Sequence, residues 1–159
     1  MGRRSRPSEI EGGARPSEAS AEQPELVHTG GRWRFLRLHV DGQPLPVVDR
    51  QAPAVAAWLR AVDGPLVRVA TAQFSALGPG VHIRPHSGAH NRRLTAHLTL
   101  LSRNATIRVH NRAAPFSFGQ VLLFDDSFEH EVWNHDASEE RVTLMLHFTH
   151  PALYCGEKK

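Results

Sequence analysis

Phe124-Asp125-Asp126-Ser127-Phe128-Glu129-His130-Glu131-Val132-Trp133 decides how this chain is read. An apolar run at 121–124 ends in turn-forming residues, Asp125-Asp126-Ser127, and a strand-like pattern resumes at His130. A second histidine in a comparable setting, His86, stands 44 positions earlier in Pro79-Gly80-Val81-His82-Ile83-Arg84-Pro85-His86-Ser87-Gly88. Two histidines on or beside strands suit a non-haem iron site, whose usual ligands are two histidines and one carboxylate. The carboxylate is expected two residues after the first histidine, and here that residue is Gly88. The site is therefore either broken or one that holds iron with only two protein ligands.

Outward from these motifs the chain reads as short strands separated by turns. Strands are expected at about 66–76, 80–85, 93–101, 105–110, 120–125, 129–134 and 141–149, preceded by one at 33–40. The last has a parity switch near Phe35 and Leu36 that predicts a bulge. Residues 52–62 form the clearest expected helix, with Pro53 in its first turn and Asp63-Gly64-Pro65 ending it. This pattern predicts a mostly β fold, a double-sheet, cupin-like jelly roll with one or more short helices near its start.

Two strands alternate cleanly. Leu94, Ala96, Leu98 and Leu100 share one side, with Thr95, His97 and Thr99 on the other. Val142, Leu144, Leu146 and Phe148 likewise oppose Arg141, Thr143, Met145, His147 and Thr149. From alternation alone, an ordinary sheet with one solvated face is the commoner outcome; a ligand cavity lined by the polar sets is the alternative. Arg141 on its own reads as a surface charge. Placed eleven residues after His130, it reads better as the anchor of a carboxylate through two parallel hydrogen bonds. Several groups rival the two-histidine reading: His82, with the same apparent parity as His86, His90, and the carboxylates Asp125, Asp126, Glu129 and Glu131 around His130.

The 159 residues suffice for one domain. Residues 1–26 are rich in Gly, Ser, Pro, Glu and Arg and are expected to be a disordered tail, with Arg3, Arg4 and Arg6 as an alternative electrostatic handle. A single domain is expected at 27–155 and a short tail at 156–159. The 17 arginines are scattered, without an aromatic-interleaved basic stripe, so no nucleic-acid partner is expected. No run of about 18 apolar residues predicts a membrane span, and no apolar stretch follows the basic N-terminus to make a secretory signal. The single cysteine, Cys155, excludes an intramolecular disulfide framework and reads as an incidental tail residue. A cytoplasmic location is the expectation.

These motifs resemble the aspartyl/asparaginyl β-hydroxylases. The resemblance is carried by Phe74-Ser75-Ala76-Leu77-Gly78-Pro79-Gly80, His82 to Gly88, Asn91, Arg93-Leu94, His97-Leu98, the segment from Leu123 to Asn134, Arg141 and His150-Pro151, and spans about 31–153. It implies a double-stranded β-helix that uses Fe(II), 2-oxoglutarate and O2. It implies iron held by His86 and His130, with Gly88 replacing the acid and water completing the coordination. Ser75, His97 and Arg141 are then implied to contact 2-oxoglutarate. Some members carry an arginine at the position of Thr95; Arg93, of the same parity, is a partial substitute. The implied reaction is β-hydroxylation of an Asp- or Asn-like residue in a peptide or protein. Two alternatives stand beside it: a hydroxylase of a free or carrier-bound amino acid, and a cupin-like barrel that binds without catalysis. The sequence leaves the oligomeric state open.

Overall fold

The computed structural model describes residues 20–22, 26–27, 31–64, 67–89 and 91–150. The strands are β1 (Ser20–Glu22), β2 (Trp33–Val40), β3 (Gln43–Pro44), β4 (Val69–Leu77), β5 (His82–His86), β6 (Arg93–Leu101), β7 (Ala105–Val109), β8 (Arg112–Pro115), β9 (Val121–Asp125), β10 (His130–Asn134) and β11 (Arg141–Thr149). Helices α1 (Pro46–Gln51) and α2 (Pro53–Val62) separate β3 from β4. The large sheet runs β1-β2-β4-β11-β6-β9, with β3 paired to β2, and the small sheet runs β5-β10-β7-β8. Every pairing is antiparallel. This is the expected double-sheet architecture.

Two apolar layers explain the patterning of the large sheet. Its inner face packs on the small sheet through Trp33, Phe35, Leu77, Ile83, Ile107, Phe116 and Val132. Its outer face packs on the helices through Leu38, Val48, Ala56, Leu59, Ala72, Leu144 and Leu146. Burying a side chain such as Leu59, which is 3% exposed, contributes about 1.5–3 kcal/mol. The same layering corrects the bulge expected at Phe35 and Leu36. The β2–β4 register is continuous from Trp33 to Arg37 and slips only between Arg37 and His39. Phe35 and Leu36 are both apolar because both faces of β2 are covered, not because the strand changes parity.

The expected helix is α2, and its end is fixed by chemistry. Asp63 at the C-cap accepts a hydrogen bond from the Val69 amide at 3.1 Å, tying the helix end to the start of β4. Helix α1 falls within the one or more short helices expected here, although its position was not marked, because six residues are too few to display a helical period. Strands β3 and β8 were missed, since Gln43-Pro44 and Arg112-Ala113-Ala114-Pro115 carry weak strand preference. Inside the segment expected to be a disordered tail, Ser20–Glu22 pair with Arg34 to Leu36 of β2; Val27, the first residue of the expected domain, bridges Ile83. Among the described residues no helix is long and apolar enough to cross a membrane. The C-terminal tail, Cys155 and His90 lie outside the described residues.

Candidate metal centre

His86 ends β5 and His130 begins β10, and the two are paired directly opposite each other. Their rings lie 4.2 Å apart, centroid to centroid, at 53°. Each ring is aimed by the same local device. The Nδ1–H of His86 donates to the Arg84 carbonyl at 2.7 Å, and that of His130 to the Phe128 carbonyl at 2.9 Å. A carbonyl can only accept, so both imidazoles are held as Nδ1–H tautomers when neutral, and both Nε2 lone pairs are left for a metal. Burial lowers the pKa of His130; the Phe128 carbonyl opposes this and His86 adds to it. Neutral imidazole is the ligating form.

His82 does not share this cavity, contrary to its apparent parity with His86. On β10 one residue, Glu131, separates His130 from Val132; on β5 two residues, Arg84 and Pro85, separate His86 from Ile83. That bulge reverses the side-chain alternation. Ile83 and His86 point inward, while the His82 ring points outward, stacks on Trp133 at 4.8 Å and 10°, and meets Glu131 Oε2 at 2.9 Å. Pro85, which has no N–H to contribute to a ladder, marks the spot in the sequence.

The polar faces of β6 and β11 are buried. Thr95, His97 and Thr99 are 3%, 6% and 1% exposed, and Arg141 and Thr143 are 1% and 0%. The solvated-sheet expectation therefore fails, and the cavity alternative describes the molecule. The cavity holds about 250 Å³. Its walls include His86, Gly88, Arg93, Thr95, His97, Asp126, His130, Arg141 and His147, together with the apolar Trp33, Phe35, Ile107, Phe124, Val132 and Met145.

Arg141 has an unusual position. Its guanidinium lies 4.9 Å from the centre of the Phe116 ring and donates from Nη1 to Thr143 Oγ1 at 3.1 Å. Its Nε has no hydrogen-bond partner, and no carboxylate among the described residues pairs with it. Burial pushes its pKa down to about 9, which leaves it charged at neutral pH. Three more buried polar atoms on this wall lack partners: Thr95 Oγ1, His97 Nδ1 and Asp126 Oδ1. Buried polar atoms are normally satisfied, so four orphans around one cavity mark a binding site. His97, packed 5.8 Å from Phe116 and 5.6 Å from Phe124, has its pKa driven well down by burial and then by Arg141.

Ser75 is fully buried on β4 and is not among the residues that line the cavity. Its Oγ accepts from Trp33 Nε1 at 3.0 Å, and its own proton remains available to donate. Arg93 donates from Nε to Asp126 Oδ2 at 2.7 Å. The Asp126 carboxylate sits where a side chain at position 88 would project: a Cβ on Gly88 would meet its Oδ1 at 2.6 Å. Glycine here makes room for an acid from the turn between β9 and β10, and the Gly88 amide donates to the Asp126 carbonyl at 2.6 Å. Asp125 turns instead to Ser127, accepting from its amide at 2.9 Å. Among the described residues no three His, Cys, Asp or Glu side chains are grouped as a metal would require. Two imidazoles with free Nε2 atoms, beside an uncompensated cation and further orphaned polar groups, nevertheless suit Fe(II) and a chelating dicarboxylate.

Sequence reasoning gave no role to Gln73 or His147, both on the cavity wall. The signal was parity: Gln73 lies two residues before Ser75, and His147 is on the Arg141 face of β11.

The sequence profile of the aspartyl/asparaginyl beta-hydroxylase family matches residues 8–151. The chain belongs to this family. The match begins earlier than the resemblance read from residue 31. The chain is 34% identical over 82% of its length to the aspartyl/asparaginyl beta-hydroxylase of Mus musculus, of which it spans 18%. It is 33% identical over 80% of its length to the ornithine lipid ester-linked acyl 2-hydroxylase of Rhizobium tropici, of which it spans 45%. An oxidoreductase of the 2OG-Fe(II) oxygenase family from Burkholderia pseudomallei shares the fold at a TM-score of 0.54 and 14% identity, over 82% of this chain and 72% of that one. A predicted oxalate decarboxylase from Thermotoga maritima superposes equally well, at 0.54 and 14% identity, over 86% and 97% of the two chains.

Proposed function

We propose that this chain is an Fe(II)- and 2-oxoglutarate-dependent dioxygenase that hydroxylates an Asp- or Asn-like residue of a peptide or protein at its β-carbon. The observation that carries this reading is Arg141, a fully buried cation that no carboxylate among the described residues pairs with, in the same cavity as two metal-ready imidazoles. A buried charge is costly until paired, so the site is built to receive an anion. His86 and His130 hold the iron through Nε2. Arg141 takes the distal carboxylate of 2-oxoglutarate, with Thr143 fixing the guanidinium and Ser75 and His97 offering further polar contacts. Arg93, kept in place by Asp126, lines the cavity on the parity of Thr95. The apolar wall of Trp33, Phe35, Ile107, Val132 and Met145 excludes water. Bound there, Fe(II) with 2-oxoglutarate and O2 would supply the oxidising chemistry for C–H hydroxylation, one oxygen atom ending in the product and the other in succinate, with release of carbon dioxide.

The rhizobial relative supports a second reading. Its name specifies hydroxylation at carbon 2 of an acyl chain. The β-carbon of aspartate is likewise the carbon next to a carbonyl group, that of the side chain. The shared chemistry is oxidation of a C–H bond adjacent to a carbonyl, so a free, carrier-bound or ester-linked acid remains the competing substrate class. With one cysteine no internal disulfide demands an oxidising compartment, and a cytoplasmic setting belongs to this proposal.

The test is succinate formation by the Fe(II)-loaded protein, with Asp- and Asn-containing peptides, free amino acids and acyl esters offered in parallel. Mass spectrometry for a one-oxygen gain then identifies the substrate class. Turnover restricted to the acyl esters would replace the first reading with the second. No succinate with any of them, together with no 2-oxoglutarate binding, would leave a binding barrel without catalysis.

A further inference from the structure

The outer face of the small sheet, directly behind the two imidazoles, carries a linked set of charged side chains. Glu131, on the central strand β10, follows His130 and is 8% exposed although it points away from the cavity. Its two carboxylate oxygens are taken by two different strands. Oε2 meets His82 Nε2 of β5 at 2.9 Å, and Oε1 accepts from Arg108 of β7, the residue paired opposite it. Arg108 also donates from Nη2 to Glu129 Oε1 at 2.9 Å and from Nη1 to the His110 carbonyl at 2.6 Å. One guanidinium therefore grips both residues that flank His130.

The position of this clamp matters because the ladder is irregular beside it. The β5–β10 register slips between His130 and Val132, at Glu131, and the opposing residues are Arg84 and Pro85. The Arg84 carbonyl at that bulge aims His86, and the Phe128 carbonyl, next to the gripped Glu129, aims His130. Regular cross-strand pairing is interrupted where the two aiming carbonyls need a fixed relation.

We propose that Glu131, with Arg108 and His82, is a positioning residue for the metal centre, holding the β5 bulge against β10 from the outer face so that both Nε2 atoms converge. The inference rests on the two-imidazole reading above. It assigns a functional role to a side chain that touches neither cavity nor ligand. A tie that only stabilised the fold would leave the site's intrinsic metal affinity unchanged. A positioning tie changes the geometry offered to the metal by protein that is still folded.

The experiment uses Co(II) as the probe on the full chain, reading its dissociation constant and visible absorption spectrum. The imidazole tautomers are followed by nitrogen-15 NMR before metal is added. Loss of a group hydrogen-bonded directly to a metal ligand typically costs 10–100-fold in affinity; Glu131 acts one step further out, so Glu131→Gln should weaken Co(II) binding at the low end of that range, about tenfold. It should also alter the Co(II) spectrum and unsettle the Nδ1–H tautomer of His86. Asp49→Asn, at an exposed carboxylate paired with Arg60 on the helices, should change affinity by less than about threefold. His82→Gln removes only the β5 arm and serves if Glu131→Gln does not fold; it should weaken binding with the apo protein still folded. Wild-type affinity and spectrum in whichever of these two variants folds would overturn the proposal. Co(II) binding by the wild type that is absent, or that survives His86→Ala and His130→Ala, would overturn the two-imidazole reading instead.

Discussion

The two sheets present their inner side chains by different rules. On the large sheet, Arg141, Thr143, Met145 and His147 keep a single parity along β11, and Thr95, His97 and Thr99 keep one along β6. The β6–β11 register slips only between Val142 and Thr143, with Leu100 as the extra residue, and neither run of inner side chains changes parity there. On the small sheet, β5 reverses parity at Arg84-Pro85, and the reversal turns His86 inward while His82 faces out. The wall proposed to grip a dicarboxylate is built by repetition, and the wall proposed to grip a metal by an irregularity. A bulge re-aims one side chain without displacing the strand, which is why bulges gather at active sites.

The strongest way to break this comparison is at the imidazoles. His86→Ala or His130→Ala should abolish metal-dependent succinate formation and reduce Co(II) binding to background, because a pair reduced to one neutral ligand has nothing left to chelate with. Retained tight binding in either variant would mean that a third side chain coordinates, with Asp126, on the same cavity wall, a candidate.

The large-sheet wall is tested at Arg141. Each hydrogen bond to a charged group is worth about 1.5–3 kcal/mol, so Arg141→Ala should raise the apparent KM for 2-oxoglutarate tenfold or more. Arg141→Lys should recover only part, since an ammonium lacks the planar fork. An unchanged dependence on 2-oxoglutarate in Arg141→Ala would remove the anchor and with it the contrast between the walls.

The boundary between the walls is Gly88. Gly88→Ala must push the Asp126 carboxylate off its place and strain its contact with Arg93, at a cost of about 1–3 kcal/mol. The apo thermal midpoint should fall by several degrees. Gly88→Asp, which restores the acid of a three-ligand site, should be less stable still, since it sets a second carboxylate against Asp126. A wild-type midpoint for Gly88→Ala would show that Asp126 moves aside freely and that glycine is not required there.

How much was legible follows from the same contrast. The bounds of β6 and β11 and their two faces were readable because alternation is a local pattern that survives burial. Whether the polar face met water or a cavity was not readable, because that depends on the small sheet folding over it. His86 and His130 stood out by motif, whereas the orientation of His82 required knowing that Glu131 faces two residues rather than one. Gly88 was recognised as a missing acid, but the carboxylate that fills the space comes from 38 positions further along the chain. Strand β1, inside a stretch whose composition signalled disorder, is held by pairing with β2, a long-range contact that composition does not report.

The smallest expected effect concerns a residue that parity placed correctly and function did not explain. His147 shares the inner face of β11 with Arg141, and burial, then Arg93, lowers its pKa to about 4. The unfolded imidazole titrates near 6.5. Between these values the unfolded chain binds more protons than the folded one, so stability rises with pH. The contribution is present in full above about 6.5 and is lost as pH falls toward 4. For this group the loss between pH 7 and pH 5 is at most about 2 kcal/mol, and residual solvent contact reduces it. His97, shifted in the same direction by burial, adds to the slope. The apo thermal midpoint should therefore fall on acidification across this window, and His147→Gln should flatten the fall without removing it, because His97 remains. An identical slope in the variant would show that His147 takes up its proton as readily in the folded wall as in the open chain, and that this end of the large-sheet wall is wet.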